Sequence, residues 1–144
     1  MYKRLFKYLP LFLALAFASC DQNQLTERVV SKYDNGQPSM VHYYDRNNRL
    51  VREVDYYETG AMMMEGPLEN NLRNGEWTSY FPDGKVQSTG VFVDGVCSGK
   101  KQIFHENGNL WMEGWYKDDQ KCGEWIIYDE QGYETSRVDY GTCD

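Results

Sequence analysis

The residues of this 144-residue chain best suited to catalysis are two histidines and four cysteines. His42 and His105 have side chains that can exchange a proton near neutral pH. His105 lies in a repeated segment whose other copies carry Tyr57, Phe81 and Asp129 at that place, which favours a structural role. None of the sequence fingerprints of serine hydrolases, zinc proteases or nucleotide-binding loops occurs. We therefore predict that the protein is not an enzyme and holds neither a metal ion nor a cofactor.

The cysteines downstream of Cys20 are interpreted as structural. Cys97, Cys122 and Cys143 are three in number, so at most one pair can form within the chain. Cys97 and Cys122 lie in adjacent repeats, one position out of register with each other, and form the candidate disulfide; Cys122 with Cys143 is the alternative. No CxxC motif is present, which argues against a redox-active site.

Acidic residues are frequent in the predicted turns. A row of carboxylates could bind Ca²⁺ weakly. Asp and Asn also cap turns by bonding their own backbone, and we favour this explanation. Stacked repeats are expected to line these acids along one edge of the sheet: Asp34, Asp45, Glu58, Asp83, Glu106, Asp129 and Glu130.

Two tryptophans are the better candidates for a binding face. Trp111 and Trp115 are separated by an even number of positions, so they lie on the same face of a strand. Exposed aromatic side chains on a sheet suit contact with a protein or a glycan. The alternative is that a single-layer sheet covers both of its faces with aromatic residues.

The elements that position these residues are repeats of constant length. One repeat extends from Gly60 to Gly84, and we call this interval one period. An unchanging period indicates one supersecondary unit that is repeated along the chain. Glycines that end similar turns continue this spacing at Gly108 and Gly132. Further series with this period are the aromatic residues Tyr56, Tyr80, Phe104 and Tyr128, the interior glycines Gly66, Gly90 and Gly114, and the later glycines Gly75, Gly99 and Gly123.

The pattern between the glycines is that of β-strands. Val, Ile, Tyr, Phe and Trp are enriched there, and no helical periodicity follows the N-terminal segment. We predict an all-β fold: about ten antiparallel strands joined by hairpins into an elongated meander. The interior glycines leave room for an aromatic side chain from a neighbouring strand. Trp77 and Trp125 are assigned to the core of the repeat.

The sequence resembles the MORN repeat, and within it the variant class of YwqK-type antitoxin-like proteins. The residues that carry this resemblance are Gly60, Gly66, Gly75, Trp77 and Tyr80; then Gly84, Gly90, Gly99 and Phe104, without the tryptophan; then Gly108, Gly114, Gly123, Trp125 and Tyr128. The resemblance implies an array of β-hairpins and a binding or scaffold role. The antitoxin label implies that a partner toxin is neutralised by direct binding.

The N-terminus has the layout of a bacterial lipoprotein signal peptide. Basic residues precede an apolar segment at 8–18, which is too short to span a bilayer as a mature helix. The tetrapeptide that ends in Cys20 resembles a lipobox, in which the cysteine is lipidated. An ordinary secretory signal with a chance cysteine is the alternative. The expected organisation is a signal peptide at 1–19, a polar tether at 20–24 and a repeat domain at 25–144.

The charge of the chain constrains its partners. The formal net charge is −7, and three basic residues but no acidic ones precede Cys20. The mature chain is therefore expected to carry a net charge of about −10, which repels phosphate backbones and argues against nucleic acid. We expect a membrane-anchored protein of the bacterial cell envelope that binds another protein, as an immunity protein or a scaffold. The alternative is a glycan or peptidoglycan contact module.

Overall fold

A computed structural model describes residues 25–144 as one antiparallel β-sheet. The predicted signal peptide, the tether and Cys20 lie outside the described residues. The strands are β1 (Thr26–Lys32), β2 (Pro38–Tyr44), β3 (Leu50–Tyr56), β4 (Met62–Glu69), β5 (Leu72–Arg73), β6 (Gly75–Tyr80), β7 (Val86–Val93), β8 (Val96–Phe104), β9 (Leu110–Lys117), β10 (Gln120–Tyr128) and β11 (Glu134–Asp139).

The strands follow one another across the sheet in chain order. Only β5 departs from this path, because its two residues pair with β4 just before β6 begins. The prediction of an all-β meander of about ten strands is confirmed, with β5 as a short addition. Residues 25–144 contain no helix that is long and apolar enough to cross a membrane.

The turns explain why the period is fixed. Gly60 has φ +84°, a left-handed conformation that side chains rarely adopt, and its N–H donates to the carbonyl of Tyr57 at 2.8 Å. Asn48 takes the same conformation with φ 59°, as expected of the residue type that tolerates it next best. Turns of this kind recur around Gly36, Gly60, Gly84, Gly108 and Gly132, and we call the sheet margin that they form the glycine edge.

The other turns lie on the opposite margin, the far edge. In an antiparallel meander each strand reverses direction, so consecutive turns alternate between the two margins. The far edge carries turns with left-handed residues at Asn48, Asn70, Asn71, Asp94, Asp118 and Asp119. The prediction of a single row of acids is therefore wrong for Asp45, which belongs to the Asn48 turn on the far edge.

Within residues 25–144 the core is thin, because the strands form one sheet and no second layer packs against it. Few side chains are buried: Val41, Val54, Leu68, Trp77, Cys122 and Trp125, together with the polar Asp55. The outer strands β1 and β11 are exposed at every residue. The stability of each hairpin therefore depends on its neighbours, as in other linear repeat arrays.

Candidate functional site

A repeated slot on one face of the sheet holds the largest core side chains. Trp77 and Trp125 are 3% and 2% exposed. Their indole N–H groups donate to backbone carbonyls, from Trp77 to Pro67 at 3.0 Å and from Trp125 to Trp115 at 3.1 Å. A Cβ atom on the glycine beneath each ring would lie 2.3 Å from Trp77 or 2.2 Å from Trp125. The glycines concerned are Gly66 and Gly114.

The same slot in the middle repeat is filled by a lysine. Lys101 stands one period after Trp77, pairs with Gly90 and donates from Nζ to Ser88 Oγ at 3.0 Å. Burial lowers the pKa of Lys101. Cys97 occupies the place that Arg73 holds beside Trp77, and a neutral residue there avoids repulsion with Lys101.

Cys97 itself is a free thiol. Burial raises its pKa, which disfavours the thiolate that nucleophilic chemistry requires. Its backbone N–H donates to the Asp119 carboxylate at 2.8 Å, a contact that joins two turns of the far edge. The surroundings of Cys97 therefore favour a structural role.

The cysteine pairing predicted from the repeat register is wrong. The disulfide joins Cys122 to Cys143, with Cα atoms 5.1 Å apart, and Cys97 takes no part in it. The physical reason is the path of the C-terminal tail. The N–H of Tyr140 donates to the carbonyl of Gly123 at 2.9 Å, which holds the tail against β10. The alternative pair that the sequence left open is the one that forms.

The first repeat replaces the glycine–tryptophan pair with a polar pair. His42 fills the position one period before Gly66, and Glu53 fills the position one period before Trp77. Their side chains meet across β2 and β3, with His42 Nε2 3.0 Å from Glu53 Oε2. Asp55 lies buried nearby; burial, followed by the charge of Glu53, raises the pKa of its carboxyl group.

His105 belongs to a hydrogen-bond ladder along the glycine edge. The hydroxyl of Tyr33 donates to the carbonyl of Tyr56 at 2.7 Å, and that of Tyr57 donates to the carbonyl of Tyr80 at 2.8 Å. His105 stands at the equivalent position, with Nε2 3.0 Å from the carbonyl of Tyr128. A carbonyl oxygen can only accept, so Nε2 carries a hydrogen.

The ladder is interrupted at Phe81, which lacks a hydroxyl group. Next to this interruption lies an open cavity of about 630 Å³, the aromatic hollow. Trp111 forms part of its wall, is 42% exposed, and has its ring centre 5.8 Å from that of His105. The hollow is lined by Phe81, Phe104, His105, Trp111, Glu106, Asn107 and Glu130.

The rim of the aromatic hollow is acidic. The carboxylates of Glu106 and Glu130 form no ion pair with any residue in the range 25–144. The lysine of the neighbouring turn, Lys85, is held by Asp83 at 2.9 Å and by the backbone carbonyl of Glu106 at 2.8 Å. The hollow therefore combines aromatic walls with unpaired negative charge.

Trp115 lies on the same face as Trp111 and is 51% exposed. Beside it, Lys100 pairs with Glu113 at 2.9 Å, and the hydroxyl of Tyr128 donates to Glu113 at 3.2 Å. Hydrogen bonds from Lys100, Gln102 and Tyr128 hold the pKa of the Glu113 carboxyl below its usual range, and the Lys100 hydrogen bond contributes most. In contrast to the two acids on the rim of the hollow, this one is already neutralised within the chain.

The same arrangement recurs two periods earlier in the chain. Arg52 pairs with Glu65, and the hydroxyl of Tyr80 donates to Glu65 at 2.7 Å. Burial and the Glu65 carboxylate raise the pKa of Tyr80 to about 12. These two polar clusters tie strands together across the sheet. Within residues 25–144, no group of three or more His, Cys, Asp or Glu side chains is arranged to hold a metal ion.

Two consecutive units at the centre of the array match a known repeat. The MORN repeat variant matches residues 73–94 and 98–118. The first MORN match spans β5 to β7, and the second spans most of β8 and β9 with Trp111 and Trp115. No curated protein matches the chain. MORN repeat proteins are generally non-enzymatic binding modules.

The sequence predicts Trp111 as part of a binding face but does not predict the aromatic hollow beside it. One feature of the sequence could have indicated the hollow. Phe81 has no polar side-chain atom, whereas the residues at the equivalent position of the other repeats all have one: Tyr33, Tyr57, His105 and Asp129. Predicting the hollow required the knowledge that this position bridges neighbouring turns of the glycine edge.

Proposed function

We propose that this chain is a non-catalytic repeat protein that binds another protein through the face that carries Trp111 and Trp115. The observation that carries the proposal is the aromatic hollow beside Trp111. Two large aromatic side chains, 42% and 51% exposed, stand on one face of the sheet. Tryptophan is enriched at protein interfaces because it buries much apolar area and retains a polar N–H group.

The proposed place of action is the bacterial cell envelope. The basic N-terminus, the short apolar segment and the small residues before Cys20 support lipidation of that cysteine. Acyl chains on Cys20 would hold the acidic repeat domain at the membrane surface. Membrane fractionation of the Cys20→Ser variant tests this part: release into the soluble fraction is expected, and unchanged fractionation would contradict it.

Within this frame, the protein acts as an immunity-like partner of a toxin or as a scaffold. The strongly acidic surface supports a basic partner protein. The exposed tryptophan pair also suits a glycan or peptidoglycan, because sugar rings stack on indole rings. The experiment below distinguishes binding of a glycan from binding of a protein.

The test compares partners that copurify with the full chain and with the Trp111→Ala/Trp115→Ala variant. Val138→Ala is the matched control, since Val138 is 40% exposed but pairs with Trp125 on the opposite face of the sheet. A protein that copurifies with wild type and the control should be lost with the double variant, and the purified pair should rebind with the same pattern. If the double variant loses retention on polysaccharide but keeps the same protein partners, the proposal is contradicted.

A further inference from the structure

The chain covers several of its aromatic rings with its own cations. Arg73 lies 4.0 Å from the ring centre of Trp77, and Lys121 lies 4.2 Å from that of Trp125. These two pairs are equivalent, because each residue of the second stands two periods after its counterpart in the first. A cation over an aromatic face is attracted by the negative charge of that face.

Trp111 differs from these rings. Among the described residues, no lysine or arginine lies over its face. It borders the aromatic hollow, where Glu106 and Glu130 also lack a cationic partner within residues 25–144. The hollow therefore offers a part-exposed indole ring that no lysine or arginine of residues 25–144 covers, and its rim offers two carboxylates.

The backbone positions of Glu106 and Glu130 suit a planar cation held between their side chains. Glu106 and Glu130 occupy equivalent positions in adjacent turns of the glycine edge. Adjacent turns on one edge are two strands apart, roughly 10 Å. A guanidinium group between these side chains can donate hydrogen bonds to both carboxylates while its plane lies against an aromatic ring. Lysine, a point charge without a planar face, fits this combination less well.

We propose that the aromatic hollow binds an arginine side chain presented by a basic segment of the partner protein. This inference rests on the proposed function, because it names the chemistry by which the Trp111 face recognises that partner. The arginine would stack on Trp111, and its N–H groups would donate to Glu106 and Glu130. It supplies the cationic partner that the side chains of Trp111, Glu106 and Glu130 lack within residues 25–144.

The test uses the full chain in an uncharged maltoside detergent, with the four tryptophan indole groups labelled with ¹⁵N. The probes are pentapeptides that differ only at the central residue, which is arginine, lysine or the neutral isostere citrulline. Arginine should shift the Trp111 signal saturably and leave Trp77 and Trp125 in place. Citrulline should produce no saturable shift. An equal response to arginine and citrulline would overturn the proposal.

The matched variant is Glu106→Gln/Glu130→Gln, which keeps the shape of the rim and removes its charge. Because exposed ion pairs contribute little individually, we expect arginine-peptide binding to weaken about three- to tenfold. Unchanged affinity would overturn the proposal. Tetramethylammonium is a further probe: a saturable Trp111 shift with this ion and none with the arginine peptide would assign the hollow to a quaternary ammonium group and also overturn it.

The two levels of the proposal fail separately. If Trp111→Ala/Trp115→Ala loses the partner protein but Glu106→Gln/Glu130→Gln retains it with wild-type affinity, the proposed function stands and the arginine inference fails. If both variants retain the partner, both proposals fail. Loss in both variants, with an arginine-specific shift at Trp111, supports both.

Discussion

The indole ring of Trp125 lies so close above Gly114 that a Cβ atom on the glycine would be 2.2 Å from the ring. Trp77 and Gly66 form the same contact two periods earlier. In the repeat between them, Gly90 instead faces the flexible side chain of Lys101, with the nearest atom 3.0 Å away. The interior glycines thus occupy equivalent positions in their strands, but they differ in sensitivity to substitution because the side chains that face them differ.

We predict that Gly114→Ala lowers the free energy of unfolding by about 1–3 kcal/mol, because the added methyl group forces the buried ring of Trp125 out of place. Gly90→Ala is the matched control and should cost less than about 1 kcal/mol, since the end of the Lys101 side chain can move aside. Urea denaturation of the three proteins measures both values. Equal losses in the two variants would refute the packing explanation.

We predict that Cys143→Ser destabilises the protein by about 3 kcal/mol, because the Cys122–Cys143 bond closes a loop with a sequence separation of 21. Cys97→Ser should leave stability nearly unchanged, as Cys97 is a free thiol. Denaturation under non-reducing conditions compares the variants, and mass spectrometry of unreduced peptides identifies the pair. A Cys97–Cys122 peptide would contradict the observed pairing.

We predict that His105 serves as a rung of the ladder along the glycine edge and not as a base. His105→Tyr should retain the stability of the wild type, because a tyrosine hydroxyl makes this contact at Tyr57. His105→Phe should lose about 1 kcal/mol, since the carbonyl of Tyr128 then loses its donor. Comparing the free energies of unfolding of the wild type and the two variants tests this prediction. A phenylalanine variant as stable as the tyrosine variant would exclude the ladder role.

We predict a loss of stability at alkaline pH that depends on Tyr80. Its pKa is about 12 in the folded protein against 10.0 for an unperturbed tyrosine. The folded state therefore holds the proton more tightly. The resulting stabilisation is fully present below pH 10 and is lost as the pH rises from about 10 to about 12.

The melting temperature measured between about pH 8 and about pH 12 tests this expectation. It should fall more steeply in the wild type than in Tyr80→Phe, which has no proton to lose at that position. Tyr43, whose pKa is also raised to about 12, remains in both proteins and serves as an internal control. Parallel curves would show that the Tyr80 proton is not linked to folding.

The fold could be predicted because the sequence encodes it locally and repeatedly. Gly60 and its copies mark turns through a backbone conformation that side chains avoid, and the copies fix the period. The interior glycines predicted space for a ring, and the rings of Trp77 and Trp125 occupy that space. The turns and the ring contacts involve only neighbouring strands. Because the register of neighbouring strands follows from the period, these contacts can be predicted from the sequence.

The disulfide and the hollow could not be predicted in this way. Cys143 lies beyond the last repeat, so the register says nothing about where the tail meets Cys122. The hollow depends on Phe81 lacking a hydrogen bond that its counterparts make to the next turn along the glycine edge. Only the three-dimensional stacking shows which atoms that bond would join.

The most direct test of the account places a photo-crosslinking amino acid at position 111 of the full chain, expressed in its own cells. The same amino acid at position 138, which pairs with Trp125 on the opposite face of the sheet, is the control. We predict a discrete protein adduct from position 111 and none from position 138. The purified partner should then bind wild type and lose affinity for Trp111→Ala. Adducts with polysaccharide alone, or equal protein adducts from both positions, would contradict binding of a protein through the Trp111 face.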